Sequence, residues 1–116
     1  LYPGQYAQVD PATRKWFQDQ KVPGSEVPCC SLADGTYAEE DFHDNAYYVK
    51  FRWHVDYGNE QHDFDTPNWV EVPDKAVIKG PNHQGAPVIW YQWQPDTATF
   101  EGFSVKIRCF IPYEGG

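Results

Sequence analysis

Methionine is absent from the 116 residues, and so is any initiator, so the chain is expected to be a processed form that has lost whatever preceded Leu1. A cleaved secretory signal peptide is the natural leader, because Leu1-Tyr2-Pro3-Gly4 has the character of a mature start, neither basic nor apolar. Basic residues are scarce. Nine Lys and Arg against 17 Asp and Glu give a formal charge of -8, which repels phosphate backbones and anionic lipid and argues against nucleic acid as a partner. Long apolar runs are missing too: the longest, residues 88–93, is strand-sized beside the roughly 20 residues a membrane-crossing helix needs, so no membrane span is expected. There is no internal repeat, no low-complexity tract and no asparagine glycosylation triplet. Nor is there a Gly-x-Ser-x-Gly elbow, a His-Glu-x-x-His helix or a glycine loop with phosphate-cradle spacing, which leaves no motif asking for catalysis or a cofactor.

Cysteine is limited to Cys29, Cys30 and Cys109, which permits one bridge. Adjacent cysteines have Cα atoms about 3.8 Å apart, below the usual disulfide range of about 4.4–6.8 Å, so a ring between Cys29 and Cys30 would be strained. A long-range bridge to Cys109 from Cys30, or from Cys29, is expected instead, and residue spacing leaves that choice open. Closing so long a loop stabilises by about 4 kcal/mol in the chain-entropy view, a large share of a small domain's stability. The remaining thiol reads as a small buried hydrophobe, with an intermolecular bridge or a reactive thiol as the sharper alternatives. Zinc held by the cysteine pair is weaker, because adjacent cysteines lack the gap that zinc sites use.

What is present reads as one mainly β domain over residues 1–116. Asp10 can cap and Pro11 can open a short helix over residues 11–20 that lays Trp16 and Phe17 on the body of the domain. Val49, Phe51, Trp53 and Val55 alternate with Tyr48, Lys50, Arg52 and His54, the mark of a strand with one buried and one wet face. Gly58-Asn59 signals a two-residue hairpin turn, which sets Trp53 opposite Phe64, His54 opposite Asp63 and Arg52 opposite Asp65. Thr66-Pro67 interrupts the second strand, residues 69–72 resume it, and Pro73-Asp74 starts a turn. Residues 88–94 form another aromatic strand, and in the last strand Phe103, Val105, Ile107, Cys109 and Ile111 share the core face. The expected architecture is a small antiparallel bent sheet or open barrel of 4–5 strands with one short N-terminal helix, stapled by the disulfide.

Three chemistries compete. A divalent metal, calcium or zinc or copper, could use His54, Asp56, His62 and Asp63, or the acidic stretch Glu39, Glu40, Asp41, His43 and Asp44. Yet His54 and His62 fall on opposite faces of the hairpin, and the acidic stretch lacks the glycine and terminal glutamate of a calcium loop, so a solvated acidic surface is the simpler reading. A small hydrolase could use Cys29 or Cys30 with a histidine, although a thiol in an oxidising compartment goes to a disulfide first. Binding is the third. Aromatics are 17% of the chain, more than a domain of this size can hide, and Tyr48, Trp69, Tyr91 and Trp93 fall where alternation leaves them unassigned. They make a candidate aromatic patch for a protein partner, in a larger extracytoplasmic assembly or in a homo-oligomer, with a glycan as the alternative ligand. The expectation is therefore a non-enzymatic, secreted or periplasmic interaction domain.

The block Pro28-Cys29-Cys30-Ser31-Leu32-Ala33-Asp34-Gly35, with the distant Arg108-Cys109-Phe110-Ile111-Pro112, resembles an uncharacterised family of short exported proteins of alphaproteobacteria and phage or environmental genomes. Trp16-Phe17, residues 72–78 and residues 88–91 extend the resemblance over most of the domain. It implies export and a tie to Cys109, and it carries no activity over. Some relatives have a cysteine where Gly35 stands, so this chain departs from the pattern there and keeps one thiol without that partner.

Overall fold

A computed structural model describes residues 11–66 and 68–116. The expected cap at Asp10 and the Leu1-Tyr2-Pro3-Gly4 start lie outside the described residues, as does Pro67. Helix α1 (Pro11–Asp19) is followed by a single helical turn at Cys29–Ser31. Strands β1 (Asp34–Tyr37), β2 (Glu39–His43), β3 (Ala46–Lys50), β4 (Arg52–Tyr57), β5 (Glu60–Asp65) and β6 (Val70–Glu71) come next. A second helical turn at Asp74–Ala76 then leads to β7 (Val88–Pro95) and β8 (Phe103–Ile111). The strands form three small antiparallel sheets, ordered β1-β7-β8, β2-β3-β6 and β4-β5, open and not closed into a barrel. The fold is mainly β as expected, but its strands are more numerous than 4–5 and are split among three sheets.

Two tight turns explain the hairpins. Gly58 and Asn59 both have positive φ, 62° and 66°, the pairing a two-residue turn needs to match the strand twist. The β4–β5 register is the expected one, Trp53 opposite Phe64, His54 opposite Asp63 and Arg52 opposite Asp65. The same turn chemistry recurs at Asp44 and Asn45, with φ of 52° and 63°, and joins β2 to β3. Between β3 and β4 the chain breaks step at Phe51, whose N–H goes to the Thr66 hydroxyl and whose carbonyl takes the Thr66 N–H. Val49, Phe51, Trp53 and Val55 are nonetheless all buried, as the alternation predicts.

The central β7–β8 pair is covered on both faces. One face packs Ile89, Tyr91, Ile107 and Phe110 with Val49, Phe51, Trp53 and Val55; the other packs Val88, Trp90, Cys109 and Ile111 with Phe17, Cys29 and Ile78. Strict alternation would put Ile107, Cys109 and Ile111 on one face, and the structure corrects this expectation. A bulge leaves Tyr91 opposite Ile107 but Trp90 opposite Cys109, so Arg108 is the extra residue and the strand changes parity there. Cys109 is buried in any case, bridged to Cys29 across a Cα separation of 6.2 Å, which ties the helix-side layer to β8. Pairing of Cys30 with Cys109 is thereby excluded. The Cys30 thiol instead donates to the Phe17 carbonyl at 3.3 Å and accepts the Trp90 indole N–H at 3.4 Å.

Candidate functional site

The four aromatics expected to form one patch are dispersed. Tyr91 is only 1% exposed, because β7 lies between two apolar layers and has no wet face at that position. Trp93 is half-buried, set edge-on against Phe103 at 5.5 Å, and lines a cleft with Asp34 and Gln92. Tyr48 and Trp69 remain together. Tyr48 sits opposite Glu71 on β6, and continuing that register places Lys50 beside Trp69, with Lys50 Nζ 4.9 Å from the Trp69 ring centre. On the same face the His43 imidazole stacks on Tyr48, with ring centres 4.2 Å apart and planes 9° from parallel. The outer face of β2-β3-β6 is therefore an ordered aromatic strip, Trp69 being 42% exposed, edged by Glu39, Asp41 and Glu71.

The strip forms because of local sequence. Period-two alternation in β2 turns Glu39, Asp41 and His43 outward, and Asp41 Oδ2 holds the His43 Nδ1 at 2.9 Å, steering the ring onto Tyr48. The same alternation sends successive acids of the 39–44 stretch to opposite sides, so they do not converge as a calcium loop would.

The second metal set is also divided. His62 is on the hairpin face opposite His54 and lies 3.9 Å from Glu60, while Asp63 accepts a hydrogen bond from Gln61. Among the described residues no group of three or more His, Cys, Asp or Glu side chains is placed to hold a metal ion.

His54, expected on a wet face, is 2% exposed. Tyr91 Oη accepts the His54 backbone N–H at 3.0 Å and lies 2.7 Å from Nδ1. With the phenol O–H donating a hydrogen bond to Nδ1, the neutral ring carries its own hydrogen on Nε2, toward Asp34 Oδ2 at 3.6 Å and Asp56 Oδ2 at 3.8 Å. Those separations exceed hydrogen-bond length, so the two carboxylates act on the imidazole as neighbouring charges. Burial raises the Asp34 carboxyl above the ordinary aspartate range, with His54 pulling the other way and Asp56 adding to the rise. This network joins β1, β4 and β7 at one point, a relation that sequence reading missed because it placed His54 in solvent. Cys29, a candidate nucleophile, is consumed by the disulfide.

Comparison with family models, curated proteins and solved structures gives no match. Among the described residues no helix is long and apolar enough to cross a membrane.

Proposed function

We propose that this chain is an exported, non-enzymatic interaction module that binds another protein through the outer face of β2-β3-β6, centred on Tyr48 and Trp69. The observation that carries the reading is the ordered pair of contacts on that face, His43 on Tyr48 and Lys50 over Trp69. Aromatic side chains already fixed by neighbours bury large area on binding at little further entropic cost. A protein partner suits the face better than a sugar, because sugar stacking needs open ring faces and here a side chain already occupies one face of each ring. Three carboxylates, Glu39, Asp41 and Glu71, edge the strip, and the chain as a whole carries -8, which favours a basic partner over a second copy of the same acidic chain. Export is supported by the Cys29–Cys109 disulfide, since such bonds persist in oxidising compartments.

The test is amide exchange and light scattering of the protein with the partner recovered from its native source. Binding should protect β3 and β6, and Tyr48→Ala with Trp69→Ala should abolish it while leaving the thermal midpoint within a few degrees. Binding that survives the double variant, or protection confined to other strands, contradicts the reading.

A further inference from the structure

On the other side of β2, an open cleft of about 380 Å³ separates that strand from residues 112–114, which follow β8. Its walls are Phe42, Tyr47, Pro112 and Tyr113. Tyr47 is a fixed wall, its ring 5.2 Å from the buried Phe110 and 4.7 Å from Phe42. The opposite wall is fixed as well, because the Tyr113 backbone N–H donates to Glu40 Oε1 at 2.7 Å. Phe42 and Tyr113 are 56% and 55% exposed, so two large aromatic side chains stand in water at the mouth of a concavity.

The remaining lining is acidic: Glu40, Asp41 and Glu114, with no Lys, Arg or His lining the cleft among the described residues. Asp41 is turned to His43 on the neighbouring face, and Glu40 holds the Tyr113 N–H through Oε1 only, so Glu40 and Glu114 supply the negative charge beside the aromatic walls. An anion would be repelled here, and a neutral apolar ligand would strip water from carboxylates without replacing their partners. A diffuse organic cation satisfies both kinds of wall, attracted by the negative faces of the rings and by the carboxylates.

We propose that this cleft binds an organic cation, the ammonium or guanidinium head of a lysine or arginine side chain or of a small amine, against Phe42, Tyr47 and Tyr113, with Glu40 and Glu114 as counter-charges. The cleft shares only Asp41 with the Tyr48–Trp69 face, since alternation along β2 puts Phe42 and Glu40 on the side away from His43.

Aromatic NMR and calorimetric titration test it, using tetramethylammonium chloride, N-acetyl-lysinamide, N-acetyl-argininamide, a short basic peptide and the uncharged 3,3-dimethylbutan-1-ol. The cations should shift the Phe42 and Tyr113 ring signals with a Kd on the order of millimolar, with the uncharged alcohol about tenfold weaker. Tighter binding of the peptide than of tetramethylammonium assigns the natural cation to a polypeptide, and the reverse assigns it to a small amine. Phe42→Ala combined with Glu114→Gln should weaken binding about tenfold, and because both residues are exposed the variant should stay folded. Trp69→Ala should leave the titration unchanged, which separates this site from the sheet face. Equal affinity for the uncharged alcohol, ring signals that no cation moves, or wild-type binding by the double variant would each overturn the proposal.

Discussion

Tyr91 Oη meets His54 twice, at the backbone nitrogen (3.0 Å) and at Nδ1 (2.7 Å), and so one buried phenol joins β7 to β4 through both main chain and side chain. Removing that oxygen leaves a buried N–H and a ring nitrogen without the partner they now share. Tyr91→Phe is therefore expected to destabilise the fold by about 1–3 kcal/mol, read as a lower denaturant midpoint at unchanged slope. An unaltered midpoint would show that the oxygen is dispensable.

Asp34 gives a pH dependence of defined sign. Its carboxyl titrates above the ordinary value near 3.8 because burial penalises the charge, so the native state holds this proton more tightly than the unfolded chain does. The contribution to stability is fully present below that ordinary value and is lost as pH rises through the raised native one. Asp34→Asn, which cannot ionise, should lack this loss. Wild type should thus fall in stability relative to the variant as pH climbs out of the acid range, and a difference of opposite sign refutes the assignment.

The disulfide closes 80 residues of sequence separation, and in the chain-entropy view its reduction should cost about 4 kcal/mol of stability. Mass spectrometry after alkylation in denaturant without reductant should find one modified thiol per chain, at Cys30. Label on Cys29 or Cys109 in natively isolated protein would contradict the bridge.

Gly58 has φ of 62° and open space where a Cβ would stand, so substitution there carries a backbone cost with no clash. Gly58→Val should destabilise the β4–β5 hairpin by about 1–2 kcal/mol, measured as a drop in thermal midpoint.

The contrast between legible and illegible parts has local causes. The β4–β5 hairpin could be read because a turn dipeptide and cross-strand polarity agreed, from Trp53 opposite Phe64 to Arg52 opposite Asp65. The β2–β3 hairpin carries an equivalent turn signal in Asp44-Asn45, but its strand is so acidic that composition masked the period. Tyr91 and His54 were misplaced for a shared reason: alternation tells the two faces of a strand apart, and β4 and β7 have apolar or hydrogen-bonded neighbours on both. Tyr48 and Trp69 come to one face because the β3–β6 register, continued one residue before β6, sets Trp69 beside Lys50. Phe42 and Tyr113 went unnoticed, because strand-to-tail proximity leaves no trace in spacing.

The extra residue at Arg108 has a consequence for how length changes are tolerated in the closing strand. Upstream of it odd-numbered side chains face the layer of Val49, Phe51, Trp53 and Val55, and downstream they face the layer that holds the disulfide. Deleting that one position would bring Ile107 and Cys109 into ordinary succession and keep each on its present side, whereas deleting Phe110 would turn Ile111 away from the disulfide layer. The bulge is thus a position at which the strand can lose a residue while its side chains keep the layers they now fill.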